Sequence, residues 1–237
     1  MSTQDVTLYA HGKVDGQWIN TPKGYVKVNG VWKPIRYMFV KKNGIWEQAC
    51  DINPPIGYKP LAYLKSTGAT QYIDTGKSYS LPQKWEIQFR NLTRNATTSG
   101  PFGSTGWLYS LCTYSNNSLR WLPSGSYMYN RACTYTAINT CICNKGGNFS
   151  VNGVNGSGGS DSGNTGGGNT WLFTGASHKK TQVEIMYYKA YDASGNLIQW
   201  LEPFMRESDG VVGMWDKIGR TFLTNAGTGN FDYSEVL

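Results

Sequence analysis

The chain has 237 residues, 39% of them hydrophobic, 14% aromatic and 16% charged, with 29 glycines and a formal net charge of +7. That apolar content is too high for a disordered tail and suffices for one sandwich-sized core with a small appendage. Glycine and aromatic residues in excess, with few charges, favour short strands joined by many turns, so the expected class is all-β.

The basic residues are scattered, with no run of five or more. A solvated basic surface is the plain reading and attraction to an acidic partner the functional one; no fingerprint of a nucleic-acid-recognition fold accompanies the charge, so nucleic acid is not expected. No segment offers about 20 consecutive apolar residues, so no membrane insertion is expected. Met1 to Asp5 lacks a basic start and an apolar run, which reads as synthesis in the cytoplasm without a secretory signal. The five cysteines, Cys50, Cys112, Cys133, Cys141 and Cys143, are odd in number and lack the CxxC spacing of structural zinc sites. Free thiols are expected.

Residues 1–50 contain an internal repeat. Lys13-Val14-Asp15-Gly16-Gln17-Trp18 is followed by Lys27-Val28-Asn29-Gly30-Val31-Trp32 and Lys41-Lys42-Asn43-Gly44-Ile45-Trp46, with the tryptophans 14 residues apart both times. Asp-Gly or Asn-Gly between β-prone flanks is the signature of a two-residue type I′ turn, so each copy predicts a tight hairpin. Counting outward from the turn sets Lys13 opposite Trp18, Lys27 opposite Trp32 and Lys41 opposite Trp46. A lysine stem over an indole in such a pair contributes roughly 0.5–1 kcal/mol at an exposed site. A lone hairpin is marginal, so the three, with Trp18, Lys27, Trp32, Lys41 and Trp46 as the candidate anchor or assembly residues, are expected to stack on one another, on the large domain or on neighbouring copies in a dimer or trimer, the alternative being a small subdomain without a partner.

Residues 51–60 include Pro54, Pro55 and Pro60 and read as a semi-rigid linker to a large domain over 61–237. In that domain Tyr63-Leu64 and Gln71-Tyr72-Ile73-Asp74-Thr75 flank Ser66-Thr67-Gly68 and predict a hairpin. Lys84 to Arg90 alternates, with Trp85, Ile87 and Phe89 on one face. Strand-sized runs follow from Phe102 to Tyr114, at Trp121 and at Tyr127–Tyr129, and then at Thr134–Ile138. Asn152-Gly153 marks a hairpin tip, and the Gly- and Ser-rich stretch from Gly156 to Gly168 reads as a surface loop. Thr181 to Tyr191 is apolar on both faces in its middle, which suits a central strand, and Asp192 to Asn196 turns it back.

Tyr63-Leu64-Lys65-Ser66-Thr67-Gly68 and Gln71-Tyr72-Ile73-Asp74-Thr75-Gly76 resemble the start of the laminin-G-like, concanavalin A-like jelly-roll modules of bacteriophage structural proteins. Lys189-Ala190-Tyr191-Asp192, Glu202-Pro203-Phe204, Ser208-Asp209-Gly210-Val211-Val212-Gly213 and Thr224-Asn225-Ala226-Gly227-Thr228-Gly229 recur in the order such modules show. The resemblance implies an all-β chain with N-terminal hairpin repeats followed by a concanavalin A-like jelly-roll β-sandwich. It also implies a place on the virion surface, as a fibre or decoration subunit, with other virion proteins met through the repeats.

No cofactor, metal or catalytic residue is assigned from the sequence. Two histidines are too few for a histidine-rich metal site, Asp74, Asp161 and Asp209 are isolated, and no Gly-x-Ser-x-Gly elbow exists. Glu86 and Glu184 each lack the partner carboxylate of a Glu-x-Asp-x-x-Glu glycanase strand, although a pair drawn from different strands stays open. The chemistry left is binding. Trp107, Tyr109, Tyr114, Asn116, Trp121, Tyr127 and Tyr129 supply rings for the apolar faces of sugars and an amide for hydroxyls, so a host-surface glycan is the candidate ligand. The competing reading places most of these rings in the core. The alternatives to a binding protein are a glycan-degrading enzyme using Glu86 or Glu184, and a structural adaptor without ligand.

Overall fold

In the computed structural model, the residues from 55 to 235 are described except 56, 68–69, 79, 81, 94–98, 105, 107, 116, 125–126, 161–166, 177–178 and 180; within 1–54 only the backbone of six strands is described. The side chains of those six strands, and of Tyr114, Ser115, Ser124, Tyr127, Gly159 and Ser160, lie outside the description. The chain divides into two compact units, Met1–Tyr58 and Lys59–Leu237.

The first unit holds three two-stranded antiparallel sheets: β1 (Gly12–Val14) with β2 (Gln17–Ile19), β3 (Tyr25–Val28) with β4 (Val31–Pro34), and β5 (Tyr37–Lys42) with β6 (Ile45–Asp51). Lys13 stands opposite Trp18, Lys27 opposite Trp32 and Lys41 opposite Trp46. The side chains of Trp18, Lys27, Trp32, Lys41 and Trp46, and hence any stacking between them, fall outside the described residues.

The second unit consists of two antiparallel sheets. One has seven strands in the order β17-β13-β12-β11-β10-β18-β8: β8 (Ile73–Ser78), β10 (Phe102–Gly103), β11 (Ser110–Ser115), β12 (Ser118–Ser124), β13 (Tyr127–Ala132), β17 (Ser157–Ser160) and β18 (Asn169–Leu172). The other runs β16-β15-β14-β9-β19-β7-β20-β21-β22, with β23 also on β7: β7 (Tyr58–Lys65), β9 (Lys84–Thr93), β14 (Asn139–Asn144), β15 (Phe149–Val151), β16 (Val154–Asn155), β19 (Gln182–Tyr191), β20 (Leu197–Arg206), β21 (Val212–Asp216), β22 (Thr221–Thr224) and β23 (Asp232–Glu235). No α-helix occurs among the described residues.

The sheets face each other across one core. Trp85 of β9 lies 5.1 Å, centroid to centroid, from Trp121 of β12, and Phe102 of β10 lies 5.8 Å from Tyr188 of β19. Alternation on β9 puts Trp85, Ile87 and Phe89 inside, and on β14 it puts Cys141 and Cys143 on the same inner face. Burying each such apolar side chain stabilises the fold by roughly 1.5–3 kcal/mol. β19 lies between β9 on one side and β7 and β20 on the other, with a bulge between Ile185 and Tyr187 that returns Tyr188 and Ala190 to the core.

Several expectations change. β7 and β8 do not form a hairpin: β7 pairs with β19 and β23, whereas β8 pairs with β18 in the other sheet. The turn residues between them make a corner from one sheet to the other. This corner is latched to the segment before β23. The Thr70 hydroxyl donates to the Thr228 carbonyl at 2.7 Å, the Tyr72 N–H to Asn225 Oδ1 at 3.1 Å and the Ala226 N–H to the Tyr72 carbonyl at 2.9 Å. β7 starts at Tyr58 and includes Pro60, which is tolerated there because it precedes the first pairing with β23, at Leu61. Thr134–Ile138 is a turn instead of a strand, fastened by the Asn139 side-chain amide donating to the carbonyls of Thr134 and Ala137. The glycine-rich stretch begins as an edge strand, β17, since Gly158 gives the Tyr129 ring room that a Cβ would occupy. The Asn152-Gly153 tip joins β15 to β16 with φ of 51° and 78°, as a type I′ turn requires.

Cys112, Cys133, Cys141 and Cys143 are free thiols. Burial pushes the Cys112 and Cys133 thiols up to about 12, and those of Cys141 and Cys143 well above their ordinary value. The thiolate is the reactive form, so at mildly alkaline pH these groups stay protonated and inert. Peptide mapping after iodoacetamide treatment is expected to find Cys112, Cys141 and Cys143 unmodified in the native chain and fully modified in denaturant; modification at equal rates in both states would contradict this packing.

Candidate functional site

One end of the core is closed by the turn after β14 and by the residues just ahead of β11. Tyr109 is the pivot there. Its φ is 51°, in the left-handed region where a bulky residue is strained by about 1–3 kcal/mol. Its N–H donates to the Leu122 carbonyl at 2.6 Å, its ring stacks on Trp85 at 5.3 Å and 22°, and the Lys145 ammonium stands 5.2 Å from the ring centroid. Lys145 Nζ also donates to the Ser80 carbonyl at 3.0 Å, which ties the turn to the β8–β9 connection.

The surrounding residues brace this ring. Trp121 lies 6.3 Å from Tyr109, and its indole N–H donates to the Asn144 carbonyl at 3.0 Å. Tyr129 stands opposite Trp121 and Gly158 on neighbouring strands, and it is enclosed by Gly147 and Gly158, where added Cβ atoms would collide with its ring or hydroxyl. Gly147 has a φ of 117°, which a residue with a side chain rarely adopts.

Of the sequence-derived residues, the structure brings Tyr109, Trp121 and Tyr129 together. Trp121 is fully buried, so it backs the cluster from the core and offers no ring face to solvent; Tyr109 and Tyr129 are half-buried. Trp107 and Asn116 lie outside the described residues, as do the side chains of Tyr114, at the β11 bulge, and Tyr127, on β13. Sequence reasoning missed Lys145 and Gly147. The only available signal was the turn chemistry of Asn144-Lys145-Gly146-Gly147, which carries no indication of which ring lies above it.

Comparison of the chain with protein-family models, with curated proteins and with solved structures gives no match to any of them.

Glu86 and Glu184 both lie on the outer face of the ten-stranded sheet. Glu86 pairs in register with Lys189, and Glu184 with Arg90, four residues further along β9. At about 3.3 Å per residue their backbone rows are about 13 Å apart along β9. Each is also engaged. Glu184, 3% exposed, accepts from Arg90 Nε at 2.6 Å and lies 3.7 Å from Lys65 Nζ. Glu86 accepts from the Tyr187 hydroxyl at 2.8 Å and lies 3.6 Å from Lys189 Nζ. Burial, then the bond to Glu86, hold the Tyr187 phenol above its ordinary value, so it remains a donor.

Among the described residues no group of three His, Cys, Asp or Glu side chains could hold a metal ion. Asp74 accepts from the Gly76 N–H and from the Asn169 amide, and Asp209 pairs with Arg206 at 2.6 Å; Asp161 lies outside the described residues.

Proposed function

We propose that this chain is a noncatalytic surface protein of a bacteriophage virion, a head or tail fibre or decoration subunit. In this reading the hairpins of residues 1–50 attach it to other virion proteins or to further copies of itself. Residues 61–237 then form an exposed jelly roll of the laminin-G-like, concanavalin A-like kind whose Tyr109 end takes a host-surface glycan.

The observation that carries the reading is the meeting of the two segments that hold the resemblance. The opening stretch around Thr70 and Tyr72 is hydrogen-bonded to Asn225, Ala226 and Thr228 across about 155 residues of chain, which makes the two ends one structural feature. The three hairpins add to it, because the same lysine-opposite-tryptophan register recurs in each. The separation and engagement of Glu86 and Glu184 support binding over hydrolysis. The strained, half-buried Tyr109 supports the placing of the ligand.

Light scattering on the full chain beside residues 59–237, with both then applied to an array of bacterial surface glycans, tests the proposal. The expected result is a dimeric or trimeric full chain, a monomeric fragment, and glycan binding retained by the fragment. A fragment with the same oligomeric state as the full chain would shift assembly to the large unit, and a silent array would remove the ligand.

A further inference from the structure

The hairpin tip between β15 and β16 carries Asn152-Gly153, and Asn155-Gly156 follows at the end of β16. Asn-Gly is the dipeptide that loses its side-chain amide most readily, because glycine has no Cβ to hinder its nitrogen. That nitrogen, its proton taken by hydroxide, bonds to the Asn Cγ; the Cγ–Nδ2 bond breaks and ammonia leaves. Water then opens the cyclic imide, giving aspartate or isoaspartate, in which the backbone runs through the former side chain. Asn152, Gly153 and Asn155 are exposed, so hydroxide and water reach both pairs.

Each pair has one reacting group in use and the other at liberty. At the tip the amide is held. The register of Cys141 with Val151 brings Thr140 opposite Asn152 at the next step, and the Asn152 N–H donates to the Thr140 carbonyl at 2.8 Å. With φ at 51° the Asn152 backbone leaves the strand, and its side chain takes the place of its carbonyl in the ladder: the Thr140 N–H donates to Asn152 Oδ1 at 2.8 Å. The Asn152 amide nitrogen donates to Asn139 Oδ1 at 3.3 Å. Gly153 is unhindered, with nothing beyond its chain neighbours within 4 Å of the place a Cβ would take. At Asn155 the roles are reversed. Its side chain has no hydrogen-bond partner among the described residues, whereas the Gly156 N–H donates to the Phe149 carbonyl at 2.7 Å and Gly156 is packed against Asn130 and Phe149.

We infer that Asn152 is a latent deamidation site, closed while its side chain completes the β14–β15 ladder and opened when the tip lifts from β14; Asn155 is closed separately, by the bond from Gly156 to Phe149. Conversion at Asn152 has a lasting effect. The product has no amide to donate to Asn139 Oδ1 and sets a carboxylate against it, and isoaspartate also adds a carbon to the backbone of a two-residue turn. The tip then loses its register on β14, so the modification records past opening of this edge of the ten-stranded sheet.

The test incubates the full chain at mildly alkaline pH, native and in urea, and follows both residues by peptide mapping with isoaspartate detection. In urea Asn152 and Asn155 are expected to convert at similar rates. In the native chain each is expected to react at least about tenfold more slowly, since reaction then follows the small population of the locally open form. N139A removes the acceptor of the Asn152 amide and leaves Gly156 and Phe149 in place. It is expected to raise the native rate at Asn152 at least about threefold, the effect of losing one hydrogen bond, with Asn155 at the parent rate. Because Asn139 also fastens the 134–138 turn, a measurement on the parent sequence stands beside the variant. In the isolated isoaspartate form of the parent, the Thr140 N–H is expected to exchange with solvent faster than before conversion. Equal native and urea rates at Asn152 would overturn the inference, as would unchanged exchange at Thr140 after conversion. An unchanged Asn152 rate in N139A, or an equal rise at Asn155, would overturn the assignment of the protection to the side-chain bonds.

Discussion

Replacing Trp85 with alanine is expected to cost the large unit about 3–5 kcal/mol, the range for truncating a fully buried aromatic ring. Trp85 is completely buried and touches both Trp121, at 5.1 Å, and Tyr109, at 5.3 Å. The cavity would open between the two sheets, where neither can relax into it without breaking a ladder of hydrogen bonds. Since a typical domain has only about 5–15 kcal/mol of stability, the variant should show a large drop in urea midpoint with an unchanged slope. Tyr109 would also lose the ring that holds it in its strained conformation, so under the proposed glycan-binding role affinity should fall in the fraction that stays folded. A midpoint within error of the parent would mean that the sheets do not meet at Trp85.

The second large effect is expected from Gly227→Ala. A Cβ there would fall on the carbonyl oxygen of Thr70, with the Tyr72 ring 3.1 Å away. Because the obstructing atom is backbone, the corner between β7 and β8 or the segment before β23 must move. Either movement breaks the latch that Thr70, Tyr72, Asn225 and Thr228 make. A destabilisation of at least about 2 kcal/mol is expected, with faster hydrogen exchange at the N–H groups of Tyr72 and Ala226. Exchange at those two sites that matches the parent would show the close approach to be absent.

The sequence made legible whatever is decided locally. Alternation on β9, the apolar middle of β19, the Asn152-Gly153 turn and the lysine-to-tryptophan register of the hairpins each depend on a few adjacent residues. What it hid depends on partners far along the chain. Gly68 and its neighbours carry the same turn chemistry whether β7 and β8 pair with each other or part into different sheets; β19, β23 and β18 decide between these. Trp121 and Tyr109 read alike as exposed rings or as core, and only the register with Tyr129 and the bond to Asn144 separates them.

The position of β7 has a consequence for how the large unit is made. The first strand of that unit finds its neighbours in β19 and β23: Lys65 is opposite Glu184 on one side and Asp232 on the other. During synthesis β7 therefore emerges ahead of its partners, with both edges open until β19 is made and one of them open until β23 follows. Closing loops of this length is entropically costly before any contact is gained, so folding falls in the slow regime of non-local sheets, milliseconds to seconds. Until then its hydrogen-bonding edges are open to other nascent chains, and crowded synthesis of many copies favours mispairing between them.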